Sequence, residues 1–254
     1  MHKICPKTLF VGQKIVYLPS CHSTNDEAAD LLLTTDVSEG TFVVTDRQTR
    51  GRGQRGNQWE AQPGHNLTGS LILLPTFLAA TEQFWLNMAV SLAINDTLSP
   101  LLPNGGLTIK WPNDVYVYDR KLGGVLIENT LQGYNVAQSI IGIGLNVNQT
   151  DFGLPTATSL LLETPIDEGY PLPAFLTTLC EQLEKRYLQL RAGQRSVLRD
   201  TYLNHLYRYQ QPHRYDAEGH TFTGTIVDLD PLGRLGIWVA GEVRYFGFKE
   251  VAFK

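Results

Sequence analysis

Gly51-Arg52-Gly53-Gln54-Arg55-Gly56 sets two arginines among three glycines. Glycines let backbone amides approach an anion closely, and arginines neutralise it with forked donors. A loop closing over a phosphate or carboxylate needs that mixture, whereas a flexible surface turn would need only the glycines. The same letters suit a dinucleotide site, but such a site requires a helix directly afterwards and an acidic residue roughly 20 positions on. Asn57 to Gly64 is a poor helix, and no acidic residue occurs from Ala61 through Thr81. A kinase-type glycine loop fails for want of a catalytic-loop signature.

Lys110-Trp111-Pro112-Asn113-Asp114 is the second constellation. Proline fixes a turn and restricts Trp111 to an extended conformation. Asn113 and Asp114 then stand at the turn exit, where they can bond backbone or ligand; an ordinary Asx turn accounts for them equally. Lys121 follows at the start of the next strand, beside Gly123-Gly124. A lysine flanked by glycines can lie against a ligand while the backbone approaches closely. Alone, it would be a solvated surface charge.

The elements around these groups are short and mixed. Lys14 to Leu18 predicts a strand, and Thr24 with Glu27 three residues later forms a capping box opening a helix. Strands are expected over Thr41 to Asp46 and Leu67 to Leu74, and a helix over Glu82 to Leu98. Leu107 to Lys110 and Val115 to Tyr118 flank the Trp-Pro-Asn-Asp turn. Val125 to Leu131 and Asn135 to Asn146 form a hairpin, offering an edge strand to an acceptor or a second copy of the chain. Leu172 to Ala192 is a helix, followed by a shorter one through Tyr207. From Gln211, His220 to Val227, Leu235 to Val239 and Glu242 to Phe248 predict a small β-barrel of about five strands. The expected division is 1–207 and 208–254, with an α+β first unit, since no regular βαβ rhythm appears.

At 254 residues, 43% hydrophobic and 18% charged, the chain reads as an ordinary globular protein. A net charge of −4 gives no whole-chain footprint for nucleic acid. Cys5, Cys21 and Cys180 are odd in number and far apart, which argues against a disulfide framework or zinc site. Neither a signal peptide nor a membrane span is legible, so a cytoplasmic location is expected.

Taken in order, four segments resemble biotin–protein ligases. Thr45 to Trp59 is similar to that family's biotin-binding loop. The Lys-Trp-Pro-Asn-Asp turn, Lys121-Leu122-Gly123-Gly124-Val125-Leu126-Ile127-Glu128, and Ile141-Gly142-Ile143-Gly144-Leu145-Asn146-Val147-Asn148 follow; Ser23-Thr24-Asn25 also fits. The resemblance covers roughly Lys14 to Asn148, with a looser match through the C-terminal barrel, and implies a mixed-sheet catalytic unit followed by an SH3-like barrel. It implies two steps: the biotin carboxylate attacks the α-phosphate of ATP, and a lysine of a biotin carboxyl carrier domain then takes the biotinyl group. Mg²⁺ is implied on the phosphates.

Residue by residue, the resemblance assigns catalysis to Lys121, Arg52 and Asp114. Biotin contacts fall to Ser23, Thr24, Asn25, Gln48, Gly51, Arg52, Gly53, Gln54, Lys121, Gly123 and Gly124. Arg55, Trp59, Lys110, Asn113 and Asn146 are the implied nucleotide contacts, Trp59 serving equally well as a core aromatic. The loop departs from the family in Gln54 and Asn57, where many members carry arginine; fewer charges would loosen the hold on the adenylate unless Arg55 compensates. About twenty residues precede Ser23, so the helix-turn-helix of repressor-type members, and DNA binding with it, is not expected. A lipoate–protein ligase or octanoyl transferase is the nearest rival; a cysteine nucleophile would serve the latter, but Cys21 and Cys180 have no histidine-paired context. A non-catalytic module docking partners through its barrel is the alternative from another class.

Overall fold

The computed structural model describes residues 4–254, apart from the side chain of Arg55. Seven strands build the first sheet: β1 (Ile15–Cys21), β2 (Phe42–Gln48), β3 (Leu67–Leu73), β4 (Leu107–Lys110), β5 (Asp114–Val117), β6 (Arg120–Gln132) and β7 (Asn135–Leu145). Their spatial order is β1-β2-β3-β7-β6-β5-β4, with β1 and β2 parallel and the other neighbours antiparallel. The architecture is α+β with a mixed sheet.

Alternation along the central strands assigns each side chain to one face. Leu67, Leu71 and Leu73 of β3, with Ile141, Ile143 and Leu145 of β7, join the main core. Helices α2 (Gln83–Leu98), α3 (Leu172–Arg191) and α4 (Arg195–Asn204) contribute to that same core. On the opposite face Ile72 and Ile140 pack with Val43 and with Ala28 of α1 (Thr24–Thr34) in a smaller cluster. The intervening positions on this α1 face are Thr68 and Ser70 of β3, Gly142 and Gly144 of β7, and Gly124 and Leu126 of β6. They are paired Thr68 to Gly144, Ser70 to Gly142, Gly124 to Gly144 and Leu126 to Gly142. Small and polar residues there leave a hollow.

The α1 helix begins as expected but not by the expected cap. Ser23 is the N-cap and makes no side-chain capping bond. Thr24 is already helical, and its amide and hydroxyl both donate to Gln48 Oε1, at 2.7 and 3.1 Å. The capping box is overridden because Gln48, at the end of β2, meets those donors first.

The expected hairpin forms, but β7 is internal to the sheet. Beyond Gly124, β6 pairs with no strand but β7 among the described residues, and the Val125 carbonyl accepts from Asn113, so the unpaired edge belongs to residues 126–132. The C-terminal strands β8 (Pro212–Ala217), β9 (His220–Leu229), β10 (Leu235–Val239), β11 (Glu242–Phe246) and β12 (Ala252–Phe253) form a second sheet, ordered β11-β10-β9-β8-β12. It contacts the first sheet's turn directly: Trp111 Nε1 donates to the Gly233 carbonyl at 2.9 Å, and the Trp111 ring meets Phe248 edge-on.

Candidate active site

A cavity of about 240 Å³ opens on the α1 face. Its floor is lined by Ser23, Thr24 and Asn25 at the start of α1 and by Gln48 of β2, with Ser70 of β3 beneath them. Ser70 Oγ lies 2.7 Å from Thr24 Oγ1 and 2.6 Å from Asn25 Oδ1. Thr24, Asn25 and Ser70 are buried, so these mutual bonds offset the cost of removing them from water, and Ser23 is buried beside them.

The rim carries the charge. Antiparallel pairing of β5 with β6 brings Asp114 opposite Gly124, and Lys121 Nζ donates to Asp114 Oδ1 at 2.7 Å. Both side chains are about one-third exposed, which leaves them open to a ligand. Asn113 is buried and donates to the Val125 carbonyl, tying the turn to β6. Lys110 lines the cavity with its ammonium 4.6 Å from the Tyr116 ring centre and 5.3 Å from that of Phe253. Burial among these rings pushes the Lys110 pKa down.

The glycine loop folds over this cavity. Gly53 and Gln54 line it, as does Arg52, whose guanidinium is committed to Glu128 and Asp26. Gln54 and Arg55 lie in a short 3₁₀ turn, and the Arg55 side chain lies outside the described residues. Trp59 is half-buried against Gly144, where a side chain's Cβ would stand 2.7 Å from indole Cζ2.

Of the expected contacts, Gly51 and Gly123 lie outside this cavity and Asn146 lines a neighbouring one. Gly51 is packed against the backbone of Trp59, where a Cβ would come within 3.2 Å of the Trp59 carbonyl carbon. Gly123 faces away from Gly124 by strand alternation, and its Cβ would stand 2.7 Å from the Gly144 carbonyl oxygen. Asn146 lines a second cavity of about 820 Å³, together with Gln58, Trp59 and Lys121. Its amide donates to the Thr158 carbonyl at 3.0 Å, while its buried Oδ1 has no partner. The floor of that cavity is built by a crossing the sequence did not announce: Lys121 exchanges backbone bonds with Thr156 and Thr158.

Sequence reasoning missed Thr68, Gly142 and Gly144 in the lining, and Ser70 and Glu128 as the partners that hold Thr24, Asn25 and Arg52. The period-two spacing of Gly142 and Gly144 signals the hollow, since a strand surrenders alternate side chains only where something else must fit. Burial pushes the Cys180 thiol up to about 12 and raises Cys21 as well, so neither thiol is poised as a nucleophile. Among the described residues no group of three histidine, cysteine, aspartate or glutamate side chains could hold a metal ion, and no helix is long and apolar enough to cross a membrane.

Residues 17–146 match the model of the biotin/lipoate A/B protein ligase family. A bifunctional ligase/repressor BirA from Bacillus subtilis is 37% identical over 191 residues, covering 71% of this chain and 56% of that protein. The chain spans about half the length of the Bacillus relatives it matches. A biotin–[acetyl-CoA-carboxylase] ligase from Mycobacterium tuberculosis is 31% identical over 212 residues, 80% of this chain and 75% of that one. In fold, a biotin protein ligase from Aquifex aeolicus in complex with biotin and ATP superposes with a TM-score of 0.78 at 24% identity, covering 95% and 99% of the two chains. By the extent of the family match and by its likeness to the mycobacterial ligase, the chain belongs to the biotin–protein ligases of the biotin/lipoate A/B protein ligase family.

Proposed function

We propose that the chain is an ATP-dependent ligase that activates biotin as biotinyl-5′-AMP and transfers it to a lysine of a biotin carboxyl carrier domain. One observation carries the reading: Lys121 lines both cavities. The polar-floored cavity suits the ureido ring, with Ser23, Thr24, Asn25 and Gln48 supplying neutral donors and acceptors. The second cavity suits the nucleotide, because the unpartnered Asn146 Oδ1 is an acceptor awaiting a donor such as an exocyclic adenine amine.

A carboxylate attacking a phosphate must overcome like-charge repulsion, and Lys121 at the junction neutralises both groups as the bond forms. Arg52 already faces two carboxylates, so less of that neutralisation falls to it. Pyrophosphate leaves. In the second step Asp114 accepts a proton from the incoming ammonium, whose free amine attacks the acyl carbon and expels AMP. Trp59, Lys110 and Asn113 then border the adenylate. A Mg²⁺ carried by the polyphosphate would find in Asp114 the cavity's one described carboxylate, and would there offset phosphate charge.

We read the C-terminal sheet as the family's SH3-like barrel, with the unit boundary between 207 and 208; its contact with Trp111 supports a part in nucleotide or acceptor binding, to be tested with Arg234, Lys249 and Glu250 variants. The open edge of β6 suits pairing with the acceptor or with a second copy, which scattering mass with and without acceptor tests. The decisive assay is ATP–pyrophosphate exchange with biotin, lipoate or octanoate. Biotin-dependent exchange that falls by two or more orders of magnitude in Lys121→Ala is expected, the loss of one preorganised charge costing about 10²–10³ in rate. Exchange driven by lipoate or octanoate would move the assignment to the sister ligases, and none with any acid would favour a binding module.

A further inference from the structure

Arg52 stands in the glycine loop, yet both of its Nη atoms are held by carboxylates of the protein itself. Nη1 and Nη2 donate to the two oxygens of Glu128, each at 2.9 Å, and Nη2 also reaches Asp26 Oδ1 at 2.8 Å. The three residues come from the loop, from β6 and from the first turn of α1. Glu128 Oε2 further accepts from Asn25 Nδ2 at 2.6 Å, and Asn25 Oδ1 meets Ser70 Oγ, which meets Thr24. A continuous polar path thus runs from the loop to the Thr24–Gln48 floor.

Charge decides what this arrangement can do. One guanidinium against two carboxylates leaves the triad at −1. Swinging Arg52 to a phosphate would strand Asp26 and Glu128 as unpaired anions beside a polyanionic substrate. Keeping the bidentate pair instead fixes the loop in one orientation, since the planar fork matches a carboxylate only edge to edge. The half-exposed position of the pair lets it open and close at modest cost.

We propose that Arg52, Glu128 and Asp26 form a latch that fastens the glycine loop over the cavity and ties it, through Asn25 and Ser70, to the polar floor. Glu128 and Arg52 are positioning residues whose work is retention of the activated acid. The proposal rests on the adenylation reading for that last step, while the latch itself is readable without substrate.

The test is a double-mutant cycle of Glu128→Gln and Arg52→Ala, read first by hydrogen exchange of amides 51–59 in ligand-free protein. Each single variant should speed that exchange about fivefold, and the double variant should be no faster than either. Exchange unchanged in both singles, or multiplying to about 25-fold in the double, overturns the latch. Arg52→Lys, which keeps the charge but not the fork, should fall between wild type and Arg52→Ala. In a second readout, each variant should release about fivefold more free biotinyl-adenylate per acceptor modified; release equal to wild type overturns the retention role. Failure of the wild type to catalyse biotin-dependent exchange would sink the adenylation reading alone, because the loop measurement needs no ligand.

Discussion

One methyl group at Gly144 tests whether Trp59 is a lid over the cavity or an ordinary core aromatic. Its Cβ would stand 2.7 Å from Trp59 Cζ2 and 2.9 Å from Nε1. Carbon atoms in good contact sit about 3.5–4.0 Å apart, so the indole must retreat by about 1 Å. The strand cannot yield, since Gly144 is paired to Thr68 on one side and to Gly124 on the other. A rigid ring offers no flexible end to bend away, which leaves the loop to move. Overpacking of this kind costs about 1–3 kcal/mol, and at 1.4 kcal/mol per decade the closed loop loses about five- to hundredfold in population. In Gly144→Ala, calorimetric titration should show biotin binding weakened by that factor, with the urea midpoint moving little because β7 and the core stay in place. Trp59→Phe in the same background should recover part of the affinity. Unchanged affinity together with a stability loss of the full ~1–3 kcal/mol would refute the argument and make the indole core packing.

Other expectations concern groups apart from the Gly144–Trp59 contact. Buried Glu184 accepts the amides of Leu9, Phe10 and Val11 at 2.6, 2.8 and 3.0 Å, so Glu184→Ala should cost about 2–4 kcal/mol in urea unfolding by stranding those donors. Burial lifts Cys180, Tyr116 and Tyr215 each to about 12 in the folded chain. Their folded values exceed the unfolded ones of about 9 and 10, so the stability they contribute is whole below pH 9 and lost as pH climbs towards 12. A melting temperature that held steady across pH 9–12 would contradict this, and at pH 8 a thiol reagent should modify Cys5 but neither Cys21 nor Cys180. Gln54→Arg returns a charge to the cavity rim and should slow loss of biotinyl-adenylate from the protein, measured by filtration after a single turnover.

What the sequence made legible was local. Leu107–Lys110 and Leu235–Val239 are strands with the expected ends, because turn residues bound each one. The α1 helix starts where Ser23 and Thr24 announce it, although tertiary bonds to Gln48 and Ser70 replace the local cap. Gly123 and Gly124, expected together at the ligand, face opposite ways because they are neighbours on a strand, and of the two only Gly124 lines the cavity. The Arg52–Glu128 pair was beyond reach: 76 positions separate its members, and only the sheet order brings them together. The crossing of Thr156 to Thr158 over Lys121 was hidden for the same reason.

The same alternation that builds the core also builds the site, and this separates the two kinds of damage a mutation can do. Leu71 and Ile141 face the main core, while Ser70 and Gly142, one residue away on each strand, face α1, Ser70 beneath the cavity floor and Gly142 in its lining. Truncating Leu71 empties packed volume and acts on folding; adding bulk at Gly142 displaces Asn25, where a Cβ would come within 3.2 Å of Cγ, and acts on the polar floor. Strands β3, β6 and β7 cannot slip by one residue without exchanging these roles along their whole length. The hydrophobic face therefore holds the register that Lys121 and Asp114 need to meet across β5 and β6, so the precision of the site is underwritten by residues that never touch a ligand.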